Sequence, residues 1–306
     1  MDYDKYVTNK PTAYPEIRLH ENFEEAFILG MLDRLARTGE NVAFIEAGSG
    51  TGRYMELLAR KTTRRVTPAT NSLSHYDERL AKTVKLIVGI DFARKMVKAT
   101  MKRLMEIKME DGRELYDFLD SEDKLRLIVA NIKDVSESKI LVGWERGLSR
   151  FVCCLFGTLG NITDTDRSTV LMRLREWTGD QGVLLVSVFN RDRFLDLGKQ
   201  SYWGVSGLIG HPKFDDARGE ITSERGFFSH WFTLAELRGM ARDDIGLRHT
   251  YIVRGDILGI ESSIQDSRRA LILVASNREM AWLPEVLRGM KDGSLPAGTI
   301  EEVACS

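Results

Sequence analysis

The chain has 306 residues, 43% of them hydrophobic and 29% charged, the balance of a folded protein with a sizeable core, which excludes a disordered or fibrous polymer. Lys and Arg number 44 against 45 Asp and Glu, so the net charge of -1 provides no global basic field to hold a nucleic acid. Three cysteines, Cys153, Cys154 and Cys305, form neither a disulfide framework nor a metal-ligand spacing, and the expected setting is a reducing cytoplasm with no metal.

Residues 1–40 read as an N-terminal arm or lid, with Tyr3, Tyr6 and Tyr14 ahead of an amphipathic stretch at 24–35. They lack the basic start and apolar run of a signal peptide, and no stretch reaches the roughly 18 apolar residues of a membrane helix. Strand-length apolar runs then recur at 42–45, 84–90, 125–130, 151–156 and 183–189, with helical stretches at 54–61, 93–107 and 165–177 between them. That alternation predicts an α/β fold with a doubly wound, mostly parallel sheet. Two later runs, 247–253 and 270–275, are separated by a link too short for a crossover helix, so they are predicted to pair antiparallel. Residues 61–80 lack periodicity and read as an exposed excursion. The apolar positions of the 277–306 tail suit a helix docked on its own chain or on a second copy, for a monomer or homodimer.

The segment 190–244 is rich in aromatic residues, including Phe194, Tyr202, Trp203, Phe214, Phe227, Phe228, Trp231 and Phe232. Ordered insertions of that length are usually functional, so it is read as a substrate cap, between a core at 41–189 and the last core strands at 245–276.

A glycine-rich turn, Glu46-Ala47-Gly48-Ser49-Gly50-Thr51-Gly52, follows the first strand. Glycines allow a sharp turn and a close backbone approach to a ligand, and the helix that follows presents free N–H groups. The dinucleotide fingerprint would need its third glycine at position 53, which is Arg53. The preceding acid would repel a pyrophosphate and attract an ammonium.

The run FIEAGSGTGRYMELL resembles the first motif of the class I S-adenosylmethionine-dependent methyltransferases, and the resemblance extends over about residues 40–275. It implies a Rossmann-like fold of seven strands with an antiparallel last strand, S-adenosylmethionine as cofactor, and a methionine-binding turn of Glu46, Gly48, Ser49, Gly50 and Gly52. By the same resemblance Asp91, at the end of the second strand, holds the ribose, while its position also suits a helix N-cap. Phe92 and Met96 follow it on the cofactor side. Asn131 and Ile132, after the third strand, are implied at the adenine, with Asp134 as the alternative contact. After the fourth strand, FGTLGNI resembles the small-molecule branches of the family, which implies cofactor contacts from Leu155 and Phe156 and acceptor contacts from Gly160 and Asn161. The adjacent Cys153 and Cys154 read as buried strand residues.

For the acceptor, His230 reads either as a base or as a structural histidine, and Tyr202 as its catalytic companion. Trp203 and Trp231 suit an aromatic wall, Arg225 suits a carboxylate, and Tyr14 is a lid contact or an anchor. The expected function is methyl transfer to an amino acid or specialised metabolite, with nitrogen slightly favoured, and without nucleic acid or membrane partners. RNA or protein methylation, from the basic residues at 61–65 and 94–108, and a non-catalytic cofactor-binding regulator are the alternatives.

Overall fold

The computed structural model describes residues 15–66, 75–144, 147–193, 199–204, 206–255, 270–291 and 298–303. Helix α1 (Pro15–Arg37) leads into β1 (Val42–Ala47), α2 (Arg53–Thr62), α3 (Glu78–Thr83), β2 (Val84–Asp91), α4 (Arg94–Met105), α5 (Leu115–Ser121) and β3 (Leu125–Val129). Next come α6 (Glu137–Ile140), β4 (Ser149–Cys154), α7 (Asp164–Thr178) and β5 (Val183–Phe189). The segment after β5 holds α8 (Lys199–Gly204), α9 (Ser206–Ile209), β6 (Pro212–Asp215), β7 (Glu220–Ser223), β8 (Phe228–His230) and α10 (Leu234–Met240). The chain closes with β9 (His249–Gly255), β10 (Ala270–Ser276), α11 (Leu283–Lys291) and β11 (Gly298–Val303).

Strand β1 reads VAFIEA and is buried along its whole length, because it pairs in parallel with β2 on one side and β4 on the other and is covered on both faces. Its side chains alternate between two cores. Phe44 joins a layer with Phe23, Phe27 and Met31 of α1 and Met55 of α2, while Ala43 and Ile45 join Leu171, Leu174 and Trp177 of α7. The main sheet runs β11-β9-β10-β5-β4-β1-β2-β3. From β5 to β3 every pairing is parallel, whereas β10 is antiparallel to both β5 and β9.

The fold class is the one expected, with one strand more than the seven anticipated. The addition, β11, pairs antiparallel with β9 at the sheet edge. Its sequence GTIEEV is short and carries two acids, which suits an edge strand and gives a weak strand signal. Ahead of it, α11 packs on its own chain: Leu283, Val286, Leu287 and Met290 share a core with α1. Gly30 permits this approach, since a Cβ there would stand 2.7 Å from Val286 Cγ1.

Helix α1 is an integral core helix, with Phe23, Phe27, Ile28, Met31 and Leu32 buried at helical spacing. Tyr3, Tyr6 and Tyr14 lie outside the described residues. In the expected excursion, α2 runs on to Thr62 and α3 begins at Glu78. The 190–244 segment folds as a small antiparallel sheet, β6-β7-β8, around Ile221 and Trp231. Helix α10 starts at Thr233 with a complete capping box closed by Glu236. Among the described residues no helix is long and apolar enough to cross a membrane.

Candidate active site

The chain crosses from β1 to β2 on one side and later returns to β4 on the other, so the C-terminal ends of β1 and β4 form a topological switch point. Ligands of doubly wound sheets bind at such a point. A cavity of about 490 Å³ opens there, within the usual range for a small-molecule site.

The glycine turn forms its floor. Gly48 N and Ser49 N both donate to Ile90 O, at 2.7 and 3.0 Å, and Gly50 N donates to Asp91 Oδ2 at 2.9 Å. Gly48 and Gly52 have φ of +73° and +72°, and a Cβ on either would meet a threonine Cγ2, of Thr158 or Thr100, at 2.2 Å. Backbone conformation and space therefore both require glycine at these positions.

Asp91 ties the turn to the next helix, because its Oδ1 also accepts from Ala93 N at 2.8 Å. Both functions expected of this residue are geometrically compatible: each carboxylate oxygen has one backbone donor and keeps a further lone pair for a ligand. Burial raises the Asp91 pKa above the ordinary value and the two backbone donors oppose that rise. Glu46 is buried at the end of β1, and Phe92 stands on the rim with 67% of its surface exposed. Met96, Ile132, Leu155, Phe156 and Asn161 line the same cavity. Asn131 lines it too, but its Oδ1 caps the following turn by accepting from Lys133 N at 3.2 Å. Gly52 closes the turn from outside the lining, packed on Thr100.

The expected catalytic pair is placed elsewhere. His230 is buried between Glu236, with Nε2 3.3 Å from the carboxylate, and Glu220 at 3.7 Å, and its ring meets Phe232 edge-on. It belongs to the joint between the small sheet and α10 and does not line the cavity. Contacts with His230 and Thr233 pull Glu236 down to about 2, against the upward push of burial. Tyr202 bonds Ser229 Oγ at 3.0 Å and packs on Phe227, away from the lining.

Most of the expected acceptor contacts likewise lie off the cavity lining. Trp231 is fully buried beneath Phe189, and Trp203 lies on the surface against His211 and Phe214. Arg225 is exposed and donates to Gly207 O. Gly160 is buried where a Cβ would meet the His230 carbonyl at 2.5 Å, so it fits the cap to the core. Tyr14 is outside the described residues. The cap reaches the cavity through Gly226, Phe227 and Phe228. Cys153 and Cys154 are fully buried, and burial, with Glu46 nearby, pushes both thiols up, Cys154 to about 12. Thiols so shifted are not nucleophiles at neutral pH.

The residues that sequence reasoning missed come mainly from α1 and the start of α2. Glu21, Arg53 and Tyr54 line the cavity, and Glu24 lies fully buried behind them. Glu24 Oε1 accepts from His20 Nε2 at 2.8 Å and from Phe156 N at 3.1 Å, while Oε2 takes a short hydrogen bond from the Tyr54 hydroxyl. Burial alone would raise this carboxyl, but His20, Ser187 and Tyr54 together hold it below its ordinary value. Burial and the adjoining Glu24 push the Tyr54 hydroxyl well above 10. Arg53 Nε donates to Glu25 at 2.6 Å, and its other end pairs with Glu21. The available signal was His20 and Glu24, which fall on the apolar stripe of α1 beside Phe27, Ile28 and Met31. Polar residues on such a stripe are buried only with partners. Phe156, two residues past β4, holds a non-glycine φ of +51°, which only the structure shows.

No protein-family model and no curated protein sequence matches the chain. Among solved structures, a chain from Thermotoga maritima described as a SAM-dependent methyltransferase and possible histamine N-methyltransferase is 12% identical, with a TM-score of 0.50 over 90% of this chain and 98% of that one. A SAM-dependent methyltransferase from Clostridium acetobutylicum is 10% identical, with a TM-score of 0.48 over 90% and 99%. The Burkholderia thailandensis 1,6-didemethyltoxoflavin-N1-methyltransferase is 13% identical, with a TM-score of 0.45 over 90% and 87%. The strand order with antiparallel β10 between β5 and β9, together with the Thermotoga likeness, gives this chain the fold of the class I S-adenosylmethionine-dependent methyltransferases.

Proposed function

We propose that the protein is a cytoplasmic S-adenosylmethionine-dependent methyltransferase that moves a methyl group by in-line displacement to a small-molecule acceptor, an amino acid or specialised metabolite, with nitrogen slightly favoured over oxygen or carbon. The observation that carries this reading is the convergence of Glu46, the glycine turn and Asp91 on one cavity at the switch point. The residues fit the cofactor. Gly48 and Gly52 let backbone form the floor, Asp91 has lone pairs left for two ribose hydroxyls, and Glu46 sets a carboxylate where an ammonium would lie. Phe92, Met96 and Ile132 offer apolar surface to a purine. The bound cofactor would supply a sulfonium methyl with an excellent leaving group.

With such a donor the chain's own residues have mainly to orient and to exclude water. Phe156, Phe227 and Phe228 line the cavity with aromatic surface that would desolvate an acceptor. Asn161 and Thr158, on the loop after β4, add polar groups to the lining. Four carboxylates, Glu21, Glu46, Asp91 and Asp166, and one guanidinium, Arg53, line the space, a balance that opposes a polyanionic acceptor.

Calorimetric titration of the purified protein with S-adenosylmethionine tests the reading. Saturable heat that S-adenosylhomocysteine competes away, followed by a labelled low-mass product when methyl-labelled cofactor is incubated with an extract of source cells, is the expected result. No heat rejects cofactor binding, and labelled polymer in place of small product rejects the acceptor class.

A further inference from the structure

One buried carboxylate holds both chain segments that flank the glycine turn. Leu155 to Thr158, directly after β4, forms a β-turn: Thr158 N donates to Leu155 O at 3.0 Å, and the central residues, Phe156 and Gly157, have φ of +51° and +69°. Positive φ at both central positions defines a type I′ turn, which favours Gly, Asn or Asp there and carries a phenylalanine only under strain. Phe156 and Thr158 both line the cavity. Thr158 is also the residue against which Gly48 of the glycine turn packs, since a Cβ on Gly48 would stand 2.2 Å from Thr158 Cγ2.

What holds the strained residue comes from α1. The Phe156 N–H can only donate, and it donates to Glu24 Oε1 at 3.1 Å. His20, which bonds the same oxygen, meets the Phe156 ring edge-on with centroids 5.2 Å apart. The other oxygen, Oε2, accepts from the hydroxyl of Tyr54, in the first turn of α2 after Gly52. Glu24 itself is fully buried and outside the lining. We infer that Glu24 is a positioning residue of the cavity: reaching from α1, its carboxylate fixes the strained turn after β4 and the start of α2 together, and so sets how closely they clasp the glycine turn. Ligand affinity at the glycine turn then depends on a residue outside the lining. The inference rests on the methyl-transfer reading only for its probe, S-adenosylhomocysteine.

The test is a calorimetric titration of the full chain and its variants with S-adenosylhomocysteine. Glu24→Asp keeps the charge but draws the oxygens back by one methylene, and is expected to weaken binding about tenfold. Glu24→Gln keeps the reach and an oxygen for Phe156 N, while the phenol can turn to accept from the amide, so affinity is expected to stay within about threefold of the native chain. Phe156→Gly removes the strain, because glycine takes positive φ freely. In that background the loss caused by Glu24→Asp is expected to shrink below about threefold, a coupling that a general effect on folding does not produce. The same loss in both backgrounds, native affinity in Glu24→Asp, or a larger loss in Glu24→Gln overturns the inference. The cofactor reading fails separately, if the native chain takes up no S-adenosylhomocysteine. Hydrogen exchange at the Phe156 amide then decides: protection present in the native chain and lost in Glu24→Asp upholds the inference, and protection kept overturns it.

Discussion

Asp91 shows how one side chain can serve structure and ligand together. It stitches Gly50 to Ala93 through two backbone hydrogen bonds, and it lines the cavity with a lone pair left on each carboxylate oxygen. Asp91→Asn keeps the volume but replaces one acceptor by a donor, which one of the two backbone N–H groups and one ligand hydroxyl then face. Affinity for S-adenosylhomocysteine, measured by calorimetry, is expected to fall at least tenfold, since hydrogen bonds to a charged group contribute about 1.5–3 kcal/mol. Asp91 was legible in the sequence from its place at the end of the second strand, where the resemblance implies a ribose contact and the position also suits a helix N-cap. Tyr54 and Glu24 were not legible as a pair, because 30 residues separate them and only the packing of α1 over α2 brings them together.

At the scale of the element, helix ends decide where functional segments begin. Thr233 accepts from Glu236 N at 3.1 Å while Glu236 returns a bond from Thr233 N at 2.6 Å. That box starts α10, the helix that carries Glu236 to His230 and so fastens the small sheet to the core. Thr233→Ala is expected to cost about 1 kcal/mol in urea unfolding. The pattern Thr-x-x-Glu ahead of a helix is the local signature of such a cap. The orientation of β8 has no such local signature: its aromatic neighbours mark His230 as buried, but composition does not say whether a cavity or a pair of carboxylates faces it. His230, Tyr202 and Trp231 therefore read as site residues, and the structure places them in the joint and core of the small sheet.

For the whole molecule, the layer of α1, α2 and α11 on one face of the sheet is held in part by charge. Burial and the Glu24 and Glu56 carboxylates push Glu25 up to about 7, with Arg53, its hydrogen-bond donor, acting in the opposite sense. A folded value above the ordinary 4.5 means that the folded chain binds the proton more tightly than the unfolded one. The stability contributed is complete below 4.5 and is lost as pH rises toward 7. Global stability from urea titrations is thus expected to fall between about pH 5 and about pH 8, and Glu25→Gln flattens that slope. An unchanged slope in the variant would place the titration elsewhere.

The sequence by itself determined the alternation of strands and helices, the glycine turn, the acids at the strand ends and the capped start of α10. These are local matters, in which periodicity, backbone freedom and hydrogen-bond capacity act over a few residues. Only the tertiary structure decided that the tail adds an eighth strand, that α1 belongs to the core, and that Glu21 and Tyr54 share the cavity with the glycine turn while Glu24 is buried behind them. Those outcomes depend on which faces meet, and a face is known only when a distant segment covers it. The near-neutral overall charge of the chain likewise gave no hint that the charged groups lining its cavity are mostly acidic, because charge on a fold is sorted by packing and not by order along the chain.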